Sequence, residues 1–154
     1  MRVLLQRVLR ASVTIDHQVF SEIGPGLVVY VGFGHADTKD IATKIAQRLA
    51  KARVFSDADG KLNLNVSQIN GSILSISQFT LYADTSGGHR PSFTPAMAPD
   101  KAMALYDHFN TVLSSLVPVK TGMFGAHMVI DQVNDGPVTL LYESEVTHDD
   151  SSGR

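Results

Sequence analysis

Apolar residues recur along this chain with two periods, and each change of period marks a change of element. Arg2 to Ile15 is rich in Val, Leu and Thr, which predicts a strand. Asp16-His17-Gln18 predicts a turn into a second strand, Val19 to Glu22, which Gly24-Pro25-Gly26 breaks. Leu27 to Gly32 (LVVYVG) predicts a strand buried on both faces, because no polar position interrupts it. The period then lengthens. Ile41, Ile45 and Leu49 lie four apart with Ala42, Ala46 and Ala50 beside them, a core-facing helical stripe that leaves Lys44, Arg48 and Lys51 mostly outside. Asp37 is the expected cap of this helix, with Asp40 in its first turn.

Asp59-Gly60, between Val54-Phe55 and Leu62-Asn63-Leu64, predicts a hairpin. Asn70-Gly71 predicts a turn into a strand from Ser72 to Leu81, with Ile73 on one face and Leu74 and Ile76 on the other. Asp84 to Pro99 holds Gly87, Gly88, Pro91, Pro95 and Pro99, and reads as a loop long enough to be functional. A second helix begins at Pro99; Ala102, Leu105, Tyr106, Phe109, Val112, Leu113 and Leu116 keep its period until Pro118 ends it. Met128 to Val133 and Val138 to Glu143 are expected strands joined by Asn134-Asp135-Gly136-Pro137. The predicted class is α+β: a single domain with a largely antiparallel or mixed, barrel-like sheet and two main helices. Residues 145–154 are polar and are expected to form a flexible tail.

Composition narrows the functions. The 154 residues contain no cysteine, which excludes a disulfide framework, a thiolate metal site and a cysteine nucleophile. The apolar run Leu27 to Val31 is far short of the ~20 residues of a membrane span, and Met1 to Arg10 lacks the apolar core of a signal peptide. A cytoplasmic protein without a membrane partner is expected. A net charge of −2 gives no global attraction to polyanions and argues against DNA as a partner, so any RNA contact should be small and local.

Most motif-like stretches have plain structural readings. Gly32-Phe33-Gly34 follows a strand and precedes a helix, but Asp37 falls where a dinucleotide fingerprint needs its third glycine, so a tight turn is the better reading. Asp57-Ala58-Asp59-Gly60 begins like a calcium loop but has its glycine too early and lacks the closing glutamate. None of the six histidines has another within three to five residues, and no Gly-x-Ser-x-Gly elbow occurs, so neither a metal site nor a serine-hydrolase site is expected. Two stretches resist this treatment. Ser77-Gln78-Phe79-Thr80-Leu81 gathers polar side chains at a strand end, and Asn134-Asp135-Gly136-Pro137-Val138-Thr139 has a proline where a hairpin ladder should restart.

Together these two stretches resemble the signature motifs of the D-aminoacyl-tRNA deacylases, enzymes of chiral proofreading in translation. The likeness extends to Gln6-Arg7-Val8, Ala11-Ser12-Val13, Arg90-Pro91-Ser92-Phe93 and Thr121-Gly122-Met123-Phe124-Gly125-Ala126, and runs in register over residues 1–144. The resemblance implies a homodimer, with its active site at the interface, that hydrolyses the ester between a D-amino acid and the acceptor end of tRNA without metal or cofactor. It marks Ser77, Gln78, Phe79 and Thr80 as the catalytic segment. Backbone N–H groups near Phe79 and Thr80 would meet the oxyanion. Thr80 has no adjacent histidine or lysine in the sequence, so attack by water assisted by the substrate's ribose hydroxyl is expected rather than a threonine nucleophile.

Gly136 and Pro137 match the family's Gly-cis-Pro element, which enters the partner's site and excludes L-amino acids; glycyl-tRNA, with no side chain to exclude, is an expected further substrate. Arg7 is a candidate anchor for that loop, or else a surface charge. The rival readings are a nonenzymatic RNA-end or protein-binding domain on the same fold, and a deacylase of relaxed chirality with a trans Gly-Pro bond.

Overall fold

The computed structural model describes residues 1–144 of the chain; the expected tail, residues 145–154, lies outside the described residues. A long first strand, β1 (Arg2–Ile15), organises the sheet. Along one edge it pairs antiparallel with β2 (Gln18–Ile23) and β3 (Gly26–Gly32). After β3 the chain forms α1 (Lys39–Lys51), a small hairpin of β4 (Phe55–Ser56) and β5 (Leu62–Leu64), and then β6 (Ser72–Ser77), which joins β3 in parallel. Helix α2 (Pro99–Ser114) carries the chain over to β7 (Val119–Thr121), parallel to β6. The last strand, β8 (Val129–Glu143), returns antiparallel along the other edge of β1. At the far ends of the sheet Ser21 Oγ of β2 donates to the Thr121 carbonyl of β7 at 2.8 Å. The mixed sheet is thereby nearly closed into a barrel. The α+β class with two main helices is as the sequence predicts.

Two apolar cores follow from the pleat. Val3, Leu5, Leu27, Val29, Val31 and Ile73 face the helices, where Ile45, Leu49, Phe109 and Leu113 cover them. Val8, Ala11, Val13, Val28, Leu74 and Ile76 fill the barrel interior. Both faces of β3 and β6 are therefore buried, as their uninterrupted apolar runs require. In β1 the alternation must change phase, since Val8, Ala11 and Val13 cannot share a face of a regular strand. A bulge does this: Val8 pairs with Asn134 and Arg10 with Val133, leaving Leu9 extra and half exposed.

Several expectations are corrected. Thr38, not Asp37, caps α1, its side chain accepting from the Ile41 N–H at 3.3 Å. Asp37 is engaged elsewhere: its carboxylate takes the Gly34 N–H at 2.6 Å and pairs with the buried Met1 ammonium. Helix α2 keeps its stripe through Leu113, but Leu116 lies past its end and is 44% exposed. The strand expected from Ser72 to Leu81 stops at Ser77 and tightens into a 3-10 turn, Phe79–Tyr82. Asn134 to Pro137 make no hairpin. Residues on both sides pair with β1, so β8 is one strand, with Asp135 to Val138 bulging out opposite Arg7.

Candidate active site

Strand β6 ends where β3 ends, and the turn that follows is seated on the end of β3. The Gln78 N–H donates to the Val31 carbonyl at 2.7 Å. This close seating depends on two glycines. A Cβ on Gly32 would stand 2.7 Å from the Gln78 carbonyl oxygen, and one on Gly34 would stand 2.7 Å from the Tyr82 ring. The Gly-x-Gly stretch thus serves backbone packing, in line with its reading as a tight turn. Arg2 holds the other end of the turn: Nη1 donates to the Leu81 carbonyl at 2.8 Å, and the guanidinium lies 4.6 Å from the centre of the Tyr82 ring. Burial above all, and then the Asp37 carboxylate, push the Tyr82 phenol well above its ordinary range, so it stays protonated.

Beside this turn opens a cavity of about 580 Å³, lined by Ser77, Gln78 and Phe79 together with Phe33, Ile76, Phe93, Met97, Phe124, Met128 and Ile130. Its walls are mainly apolar. The 84–99 segment reaches it because Asp84 and Ser92 exchange backbone hydrogen bonds at 2.7 and 2.9 Å, and the Met97 N–H donates to the Phe33 carbonyl at 3.0 Å. Phe93 is thereby set edge-on to Phe79, with ring centres 5.1 Å apart and planes at 71°. Phe79 is 55% exposed, so this aromatic pair forms a lip rather than core. The Gln78 N–H is engaged by Val31 and the Leu81 N–H by the Gln78 carbonyl. That leaves the Phe79 and Thr80 N–H groups at the open start of the 3-10 turn, with no backbone carbonyl accepting from them.

Thr80 itself is exposed and is not among the residues lining the cavity. Its hydroxyl accepts from the Gln78 side-chain amide, a group that cannot take a proton. Arg7, Gly136 and Pro137 lie elsewhere, at the β8 bulge. Arg7 Nε donates to the Asp135 carbonyl and Nη1 to the Val54 carbonyl, both at 2.9 Å, with the Asp135 carboxylate 3.5 Å from Nε. Its side chain is only 11% exposed, so it is not a free surface charge. Gly136 and Pro137 are exposed, and the peptide bond between them is cis. Gly136 has φ +142°, and a Cβ there would stand 2.6 Å from the Val138 nitrogen. The residues singled out in the sequence thus fall into two groups, one at the cavity and one at the bulge. Neither Gly136 nor Pro137 lines the cavity of its own chain.

Sequence reasoning assigned no role to Phe93, Phe124, Arg2 or Tyr82. The first two sit in stretches that carried the resemblance, and the length of the 84–99 loop was the available signal. Nothing local marks Arg2 or Tyr82. Among the described residues no group of three or more His, Asp or Glu side chains converges as a metal site would.

The barrel-like α+β sheet thus carries an apolar cavity at a strand end, edged by the backbone of the 3-10 turn. The comparisons narrow this. The family model described as D-Tyr-tRNA(Tyr) deacylase matches residues 4–143, and the chain belongs to that family of D-aminoacyl-tRNA deacylases. It is 53% identical over 144 residues to a D-aminoacyl-tRNA deacylase of Deinococcus radiodurans, covering 93% of this chain and 99% of the relative. The structure of a c-Myc DNA Unwinding Element Binding Protein is similar with a TM-score of 0.88 and 36% identity, over 95% of this chain and 100% of that one. The structure of a probable eukaryotic D-amino acid tRNA deacylase shares the fold with a TM-score of 0.81 at 18% identity, over 92% of this chain and 97% of that one. Family membership carries deacylase activity on D-aminoacyl-tRNA in general terms.

Proposed function

We propose that this chain, as a homodimer, hydrolyses the ester of D-aminoacyl-tRNA, accepts glycyl-tRNA and leaves L-aminoacyl-tRNA intact. The observation that carries the reading is the edge of the cavity, where Ser77, Gln78 and Phe79 line an apolar chamber and the Phe79 and Thr80 N–H groups open the turn. The cavity and its aromatic lip suit the terminal adenosine, with the ester held at the strand end. Water attacks the ester carbonyl, the carbon–oxygen bond to the ribose breaks, and the products are the free amino acid and tRNA with its hydroxyl restored. The two N–H groups stabilise the oxyanion that forms on the way. The neighbouring ribose hydroxyl positions the water and relays its proton to the departing ribose oxygen, because Thr80 faces only an amide.

Selectivity belongs to the bulge. Gly136 and Pro137 project from their own chain, and Arg7 grips the backbone just before them. We assign them to the partner's cavity, where fixed backbone would collide with an L side chain but not with the hydrogen a D-amino acid places there. Rigid exclusion discriminates more strongly than a side-chain contact, which is worth only ~1–3 kcal/mol. The acceptor end of tRNA is the substrate partner, the reading needs no metal or cofactor, and the cytoplasm is the compartment in which it would act.

The test is hydrolysis of D-Tyr-tRNA, L-Tyr-tRNA and Gly-tRNA by the purified protein in the presence of a chelator. Turnover of the first and third with the second spared is expected. No turnover of D-Tyr-tRNA at stoichiometric enzyme would favour the nonenzymatic binding domain. Equal turnover of D- and L-Tyr-tRNA would favour the enzyme of relaxed chirality.

A further inference from the structure

Helix α1 carries a basic face that neither the core nor any ion pair accounts for. Its buried stripe is Ala42, Ile45, Ala46, Leu49 and Ala50, while Lys44, Arg48 and Lys51 stand exposed on the other side. Asp40 is the one acidic residue within the helix, in its first turn. Arg53 follows two residues after the helix, exposed, with Nε on the Asn63 carbonyl at 3.0 Å. The ion pairs among the described residues use the Met1 ammonium, Arg2 and Arg7, and leave these four cations unmatched. In a chain of net charge −2 this is a local reversal of sign.

Two contacts tie this face to the β8 bulge. The Arg48 guanidinium lies 5.1 Å from the centre of the Tyr142 ring, on the strand that carries Gly136 and Pro137. Arg7 bridges the Asp135 carbonyl to that of Val54, the residue after Arg53. The cationic face and the bulge are thus linked through β8 and through Arg7. At ~1.5 Å rise per residue, Lys44 to Lys51 span ~10.5 Å, the length of roughly three phosphates along one nucleic-acid strand.

We propose that Lys44, Arg48, Lys51 and Arg53 form a phosphate-binding strip for the acceptor end of tRNA, and that each subunit's strip serves the other subunit's cavity. The second clause rests on the reading that the bulge enters the partner's site: a bulge seated there brings its strip to the mouth, past which the RNA leading away from the ester must run. The strip is linear and cationic, which fits a sugar–phosphate backbone. The reacting ester selects RNA over DNA.

Lys44→Gln/Lys51→Gln is the first variant, because neither side chain has a structural partner to lose. Lys44→Gln/Arg48→Gln/Lys51→Gln extends it. Binding of uncharged tRNA is measured by fluorescence anisotropy across a salt series, alongside kcat/KM for D-Tyr-tRNA and for the D-tyrosyl ester of adenosine, which has no stem. For the double variant Kd for tRNA should rise about tenfold at moderate salt, and the slope of log Kd against log salt should fall by about 1.5. Its kcat/KM should drop about tenfold more on the tRNA than on the small ester. An unchanged Kd and slope overturns the strip, as does an equal loss on both esters. A variant that turns monomeric would show the face to be a subunit contact. Weakened binding of duplex DNA with tRNA binding intact would assign it to DNA instead. Failure of the wild-type protein to cleave either ester would sink the deacylase reading, whereas the tRNA Kd still decides the strip.

Discussion

The turn at Phe79–Tyr82 and the bulge at Asp135–Val138 are both irregular backbone at the edge of the same sheet, yet they are held in different ways. The turn is locked from within its own chain: Val31 and Arg2 hold its two ends, and Gly32 and Gly34 let it sit directly on β3. The bulge is held at its base by Arg7 and by Val138 packed on the core, and its tip faces solvent. A chemical group must keep a fixed distance to the reacting atoms, so it is built into the core. On the proposed function the bulge would act in a neighbouring molecule, which asks for a stiff base and a free tip. That reading would account for two motifs that stand apart within one chain.

Breaking the inner lock should cost most. Gly32→Ala sets a methyl 2.7 Å from the Gln78 carbonyl oxygen, and the turn must move away. A displacement near 1 Å at a reacting centre costs on the order of 100-fold, so kcat on D-Tyr-tRNA should fall by about that factor in a protein whose circular dichroism is unchanged. Activity within threefold of wild type would mean that the turn is not the chemical centre.

The outer grip is next. Arg7→Ala removes two charge-assisted hydrogen bonds to carbonyls 128 and 47 residues away in sequence, and should cost about 2–4 kcal/mol of stability in urea unfolding. Its functional mark should be loss of selectivity: the D-over-L ratio of kcat/KM falls at least tenfold, more than the rate on D-Tyr-tRNA does. An unchanged ratio would separate the bulge from discrimination and leave Arg7 a purely structural residue.

Arg2→Ala tests the second tie of the turn, and the effect should be a five- to tenfold fall in kcat with KM little altered. Arg2→Lys, which keeps a donor near Leu81, should recover part of it; a change in KM alone would place Arg2 in substrate binding instead. The smallest effect is expected from Thr80→Ala, which should retain deacylation within about tenfold, because the hydroxyl faces an amide and no base. Activity at the uncatalysed level in a folded variant would make Thr80 the nucleophile.

Strand β1, the two helices and the two-faced burial of β3 and β6 were legible in the sequence, since each is a pattern that neighbouring residues alone define. So were the residues of both motifs. Their arrangement was not. Asn134 to Pro137 have the composition of a hairpin turn, but β1 is long enough to pair with the residues on both sides, so the chain runs on and the extra residues bulge. Asp37 is a good capping residue by type, but the Met1 ammonium and the Gly34 N–H claim its carboxylate, and Thr38 caps the helix in its place. The strand expected through Leu81 makes its last bond to β3 from the Gln78 N–H, and the chain then tightens into the 3-10 turn.

What the sequence by itself determined is therefore most of the strands, the two helices and the class of the fold, which follow from local pattern, together with the two motifs, which a family resemblance marks. Only the tertiary structure decided that one motif edges a cavity while the other stands outside it. It also decided that Arg7 is a buried clamp between the bulge and the segment that follows α1. These outcomes depend on which backbone groups meet across more than a hundred residues of chain, as Arg7 and Asp135 do. Such meetings are settled by strand register and close packing, which no local window of sequence contains.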